Sequence, residues 1–306
     1  MTPQTITLIG APMDSGKESR GCLMGPDALR TAGLETALSD LGHHVADKGN
    51  VRPAPFAETA CGHLHAPQET IAWTQALSDV AEGTEAGMVP IFMGGDHALA
   101  LGTVRGMANA AARADRPLFV LWLDAHTDYH TPATTTSGNL HGTPLGYVTG
   151  RNGFDGFPAI TNPVPHDQIA MLGLRSVDAE ERAAIELTDI TCVDMRHIDE
   201  HGIAKPLAAF LDRVAAANGL LHVSLDVDFL DPSAAPAVGT TVPGGATIRE
   251  GHLVMEMICD SRLMTSLDIV ELNPFLDERG RTAQLMVDLV ASAFGRRVFD
   301  RPTRAY

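Results

Sequence analysis

Leu118-Phe119-Val120-Leu121-Trp122-Leu123-Asp124-Ala125-His126-Thr127-Asp128 joins an unbroken apolar run to an alternation of acid, imidazole and acid. A short apolar run with no polar alternation predicts a strand buried on both faces, the pattern of a parallel sheet. Comparable runs cover Thr5 to Ile9, Val89 to Met93, Ile169 to Leu174, Leu220 to Leu225 and Ser266 to Val270. Helical patterns lie between them. Leu34, Ala37, Leu38 and Leu41 follow Pro26 and stop at Gly42, and Trp73, Ala76, Leu77 and Val80 repeat the i, i+3, i+4, i+7 spacing. Strands alternating with helices imply right-handed crossovers and an α/β fold, with a mostly parallel central sheet covered on both faces. A single domain over residues 1–306 is the simplest reading. Val51 to Gln68 and Thr149 to Asp167 interrupt the alternation and read as loops rather than interdomain linkers.

Composition excludes several classes of function. The formal charge of −16 argues against a nucleic-acid partner, because binding phosphate requires clustered Lys and Arg. Cations are the better guests. No apolar run approaches the ~20 residues of a membrane helix. Met1-Thr2-Pro3-Gln4 lacks the basic-then-apolar pattern of a secretory signal, so a cytoplasmic setting with no membrane partner is expected. Cys22, Cys61, Cys192 and Cys259 are scattered, which predicts reduced thiols rather than a disulfide framework or a zinc knuckle.

The chemistry gathers where strands end. Gly94-Gly95-Asp96-His97, Asp124 to Asp128, Asp226-Val227-Asp228 and Glu271 each begin as an apolar run stops. In open α/β sheets the ligand crevice lies outside the carboxyl ends of the strands, so four segments should converge on one edge. Burying so many carboxylates is costly unless their pKa values rise or a cation neutralises them, and no Lys or Arg run is at hand. Imidazoles and carboxylates without thiolates favour a hard or borderline divalent ion such as Mn²⁺ over structural zinc. A bridging carboxylate suggests two ions. If the strand direction persists, Asp124, His126 and Asp128 point to one side, and Asp226 and Asp228 repeat the device. An isolated Asp-x-Asp pair would more simply be a solvated loop or a helix cap; the combined set favours ligation. His97 joins it because paired glycines let the backbone turn tightly at a strand end.

These residues carry a family resemblance. Gly-Gly-Asp-His at 94–97, Asp-Ala-His-Thr-Asp at 124–128, Thr-Thr-Thr-Ser-Gly-Asn-Leu-His-Gly at 134–142 and Ser-Leu-Asp-Val-Asp at 224–228 resemble the arginase motifs. Ile9-Gly10-Ala11-Pro12, Arg20-Gly21, Gly25-Pro26 and Glu271-Leu272-Asn273-Pro274 extend the likeness over nearly the whole chain. The resemblance implies a three-layer α/β/α sandwich of the arginase/deacetylase type, commonly assembled as a trimer or hexamer. It implies two Mn²⁺ ions, one held by His97, Asp124, Asp128 and Asp226, the other by Asp124, His126, Asp226 and Asp228, with Asp124 and Asp226 bridging. It further implies that a metal-bridging hydroxide, oriented by Asp128, attacks the guanidinium carbon of L-arginine to give L-ornithine and urea. His141 matches the proton-shuttling histidine and Glu271 the carboxylate that holds the guanidinium.

Substrate choice rests on the far end of the pocket. Thr135 and Ser137 match positions that bind the α-carboxylate, Asp178 and Glu181 match positions around the α-amino group, and Thr240 is grouped with them as substrate-binding. The departure is His130, where the family pattern usually has Asn; an imidazole N–H can donate in its place but is bulkier. Alternatives to arginase therefore stay open: an agmatinase, a guanidinobutyrase-like enzyme, a more remote deacetylase, or a non-catalytic metal-dependent binding protein. Retention of both His141 and Glu271 argues against the last.

Overall fold

The computed structural model describes residues 2–58, 62–297 and 299. Its strands are β1 (Thr5–Ala11), β2 (His44–Asn50), β3 (Met88–Gly94), β4 (Leu118–Leu123), β5 (Ile169–Leu174), β6 (Thr191–Asp194), β7 (Leu220–Asp226) and β8 (Met264–Val270). They lie in the order β2-β1-β3-β8-β7-β4-β5-β6. All the pairings among them are parallel, so "mostly parallel" understates the sheet. The six apolar runs are the six inner strands. The two strands without such a run, β2 and β6, are the edges. β2 is exposed along almost its whole length, and a strand with one neighbour and a wet flank needs no two-sided apolar surface.

The helices are α1 (Gly25–Thr31), α2 (Leu34–Ser39), α3 (Pro67–Glu82), α4 (Ala100–Arg113), α5 (Pro144–Val148), α6 (Ala179–Ile185), α7 (Met195–His201), α8 (Ala204–Ala216), α9 (Ile248–Ser261) and α10 (Arg281–Ala293). Alternation along β4 separates two cores. Phe119, Leu121 and Leu123 pack with Leu34, Phe210, Ile258 and Val290, from α2, α8, α9 and α10. Leu118, Val120 and Trp122 pack with Trp73, Leu101 and Val104, from α3 and α4. The result is the three-layer α/β/α sandwich.

Two helical expectations need correction. The pattern from Pro26 to Gly42 is not one helix, because Gly33, at φ 88°, separates α1 from α2, and Leu41 lies beyond α2. In α3, Trp73 and Leu77 are buried but Val80 is exposed. The buried face runs instead through Thr70, Thr74, Ser78 and Ala81. A purely apolar pattern overlooks such small polar residues. They are buried because α4 approaches closely through glycines: a Cβ on Gly106 would stand 2.4 Å from the Ser78 carbonyl oxygen, and one on Gly102 2.7 Å from the Thr74 carbonyl oxygen. The Thr74 hydroxyl donates to the Thr70 carbonyl at 2.8 Å, which satisfies it without solvent.

The two predicted loops contain no helix or strand among their described residues, except that Pro67 and Gln68 already belong to α3, and His166 and Asp167 to a 3₁₀ turn, His166–Gln168. Cys22, Cys192 and Cys259 are thiols rather than disulfide halves, and Cys61 lies outside the described residues. Among the described residues, no helix is long and apolar enough to cross a membrane.

The α3–α4 contact gives a stability prediction. Gly106→Val should destabilise the fold by at least the ~1–3 kcal/mol typical of overpacking, because the clash is with backbone. The check is the midpoint of urea denaturation; an unchanged midpoint would contradict this packing.

Candidate active site

β3, β8, β7 and β4 are consecutive neighbours in the sheet and run the same way, so the chain leaves all four at one edge. His97 follows β3, Glu271 follows β8, Asp226 ends β7 with Asp228 beyond it, and Asp124, His126 and Asp128 follow β4. A pocket of about 290 Å³ opens there. It is lined by His97, His126, Asp128, His130, Thr135, Ser137, His141, Asp178, Glu181, Asp226, Asp228, Thr240 and Glu271. Of the residues singled out in the sequence, Asp124 alone is not in the lining; it lies buried against His97 and His126.

Convergence does not come from continued strand geometry. β4 stops at Leu123, residues 124–126 bend, and Asp128 takes a left-handed φ of 45°. Likewise β7 gives way to a 3₁₀ turn at Val227–Phe229. Glu271, at φ 65°, turns sharply as β8 ends. A non-glycine residue held in that region costs roughly 1–3 kcal/mol, and such strain collects where side chains are aimed at a ligand.

The His97 imidazole Nδ1 lies 3.0 Å from Asp124 Oδ2, 3.0 Å from Asp128 Oδ2 and 3.1 Å from Asp226 Oδ2. His126 Nδ1 lies 3.4 Å from Asp124 Oδ1 and 3.0 Å from Asp228 Oδ2. Asp124 thus serves both groups, one oxygen to each. Asp226 reaches the His97 group through Oδ2, while its Oδ1 accepts the Asp228 N–H at 2.7 Å. The His97 ring is held flat against Trp122, at 4.1 Å between centroids and 4° between planes. Its Nε2 lies 2.8 Å from Ser224 Oγ, and a proton on Nε2 donated to that hydroxyl would leave Nδ1 as a lone-pair donor.

The donor set fits metal ions. His97 Nδ1 and Asp124 Oδ2 are buried, and neither makes a hydrogen bond with any of the described residues. With no counter-cation, burial and repulsion from Asp124 push Asp128 up to about 6. Burial, with Asp228 and Asp124, holds Asp226 well above the ordinary carboxylate range, and Asp228 moves the same way. Burial acts on Asp124 too, but its contacts with His126 and His97 outweigh it and bring the pKa down. Acids so close can all be ionised only with cations among them. Oxygen and imidazole donors without thiolate suit a hard or borderline divalent ion.

Beside this group, the Glu271 carboxylate is saturated. Oε1 accepts the His97 backbone N–H at 2.9 Å and lies 2.9 Å from His141 Nδ1. Oε2 lies 2.5 Å from Lys17 Nζ and 3.6 Å from Cys22 Sγ. Burial opposes ionisation of Glu271, but Lys17 and His141 outweigh it and hold its pKa well below the usual carboxylate range. Burial also opposes the charged form of His141, and Glu271 raises it. A lone lysine between Gly16 and Glu18 carries no sequence pattern, and Lys17 joins the site only through the folded chain. The glycine before it was a usable signal: a Cβ on Gly16 would stand 2.6 Å from Asp96 Oδ1 and from the Ala98 Cβ. The Gly16 N–H donates to Asp96 Oδ2 at 2.7 Å, and its carbonyl accepts the His141 N–H at 2.9 Å.

At the far end, His130 Nε2 lies 3.0 Å from Asp178 Oδ2 and Nδ1 3.1 Å from Thr134 Oγ1, so both ring nitrogens have partners within the protein. Glu181 accepts the Tyr129 N–H at 2.8 Å and the Asp178 N–H at 3.3 Å, which ties the His130 segment to the start of α6. Asp178 is both the N-cap residue of α6 and a pocket residue. Thr135 Oγ1 and Ser137 Oγ are 3.2 Å apart.

The sequence profile described as "Arginase family" matches residues 4–295. The chain is 58% identical to an arginase of Brucella melitensis, over 98% of this chain and 99% of that one. It is 54% identical to an arginase of Agrobacterium fabrum, over 99% and 94% respectively. Its fold superposes on the crystal structure of arginase from Bacillus subtilis with a TM-score of 0.86 at 36% identity, covering 96% of this chain and all of that one. Fold, pocket and sequence agree, and the chain belongs to the arginase family.

Proposed function

We propose that the protein is a single-domain, binuclear manganese hydrolase that cleaves L-arginine to L-ornithine and urea. The observation that carries the proposal is the buried group of carboxylates around His97 and His126, set beside a His141–Glu271 pair in one pocket. In this reading His97, Asp124, Asp128 and Asp226 hold one ion, and Asp124, His126, Asp226 and Asp228 the other. Two bound ions supply a nucleophile near neutral pH by lowering the pKa of a shared water. Asp128 orients that nucleophile. His141, held through Nδ1 by Glu271, carries a proton to the departing amine. Glu271, already paired with Lys17, is the carboxylate we assign to the planar guanidinium. A cytoplasmic homo-oligomer, trimeric or hexameric, completes the proposal; the names of the relatives support its substrate and not its assembly.

Arginine differs from agmatine by an α-carboxylate and from guanidinobutyrate by an α-amino group. Thr135 and Ser137 offer donors to the first, and Asp178 and Glu181 offer acceptors to the second. Because His130 already has Asp178 as a partner, we assign it to orienting that carboxylate rather than to gripping the substrate directly. Urea release by metal-reconstituted protein from arginine, agmatine and guanidinobutyrate tests the reading. Arginine should be preferred, and His130→Ala should raise KM for arginine and for agmatine, which keeps the amino group, while leaving guanidinobutyrate almost unchanged. A wild-type preference for agmatine would replace arginase with agmatinase.

Two variants separate ligation from proton transfer. Asp226→Asn should lose one or both ions along with most activity, read by metal analysis of the purified protein. His141→Ala should keep its metal and lose about 10²–10⁴-fold in turnover, the usual worth of a positioned acid or base. Two retained ions with full turnover in the first, or unchanged turnover in the second, would refute the corresponding assignment.

A further inference from the structure

Lys17 is buried, with a side-chain exposure of 3%, in the loop after β1. Its ammonium meets Glu271 Oε2 at 2.5 Å and Cys22 Sγ at 3.0 Å. Glu271 stands 254 residues away in sequence. The loop is anchored where it must be: Gly16 is pinned to Asp96 and to the His141 backbone, so the peptide that carries Lys17 also sets the height of His141. Four donors therefore surround one carboxylate. Lys17 and Cys22 lie at Oε2, the His97 N–H and His141 at Oε1. A carboxylate has about four lone-pair sites, so an arriving guanidinium must share Glu271 with groups already bound to it.

We propose that Lys17 is a positioning residue that reserves Glu271 for His141 and restrains it from binding the substrate cation tightly. Two effects are separable. As a donor, Lys17 fixes the Oε2 corner and so aims Oε1 at His141. As a charge, it offsets the carboxylate's attraction for a guanidinium in a setting where burial makes charges count. Tighter binding of the ground-state cation lowers KM without lowering the barrier from the bound state, so loss of the charge is read in KM rather than in turnover.

The proposal rests on the arginase reading, and the test keeps the two apart. Metal-replete wild type, Lys17→Gln and Lys17→Met are assayed for urea release from arginine, with folding checked by circular dichroism and metal content measured. Lys17→Gln keeps a donor and drops the charge: KM should fall about three- to tenfold with turnover held within about twofold. Lys17→Met drops both: KM should fall, and turnover should fall about 10- to 100-fold as Glu271 swings away from His141. A merely structural lysine would instead reduce the amount of active protein at constant KM. An unchanged or raised KM in Lys17→Gln, or equal turnover losses in the two variants, overturns the proposal. If Lys17→Met does not fold, the KM of Lys17→Gln decides it. A wild type that releases no urea from arginine overturns the arginase reading and this inference with it, whereas an active wild type with unmoved KM in the variants overturns this inference alone.

Discussion

Repulsion among buried carboxylates is the constraint on which the rest of the molecule depends. Asp124, Asp128, Asp226 and Asp228 are each almost wholly buried and lie within reach of two imidazoles, with no lysine or arginine side chain among the described residues paired to them. Without a cation, burial and mutual repulsion displace Asp128, Asp226 and Asp228 upward and favour their protonated forms, while Asp124 is held down by His126 and His97. Divalent cations remove that penalty and convert it into binding free energy. The fold tolerates the arrangement because a large two-sided core supports it from behind.

The parallel sheet is what makes the gathering possible. Parallel strands deliver their carboxyl ends to one edge, and the order β3-β8-β7-β4 makes the four ligand-bearing ends adjacent although their sequence positions span His97 to Glu271. Local departures then do the aiming. Left-handed backbone at Asp128 and Glu271, and the close approach at Gly16, turn side chains that regular strands would have sent elsewhere. The other cation chemistry of the pocket, Lys17 on Glu271, joins the first strand's loop to the last strand's end.

Much of this was legible in the sequence because it follows from burial. The six inner strands appear as apolar runs, and the acids proposed to hold metal stand at their ends, where a two-sided strand gives way to a polar crevice. What was hidden has equally physical causes. β2 and β6 are edges and lack the apolar run. The break at Gly33 depends on one backbone angle, and the small polar face of α3 depends on glycines in a different helix. Asp-x-His-x-Asp suggested one strand face, whereas the chain bends and reaches the same convergence by another path. Lys17 meets Glu271 across 254 residues of sequence, a contact that no local pattern carries. His130 stood out as a departure, but its partner Asp178 became visible only in three dimensions.

The central claim is that the buried acids exist to hold two cations. Anomalous diffraction from crystals of the protein loaded with Mn²⁺ tests it most directly. The account predicts two peaks per chain, one beside His97 and Asp128, the other beside His126 and Asp228, with Asp124 touching both. A single peak, or none, in a chain that releases urea at its full rate would contradict it.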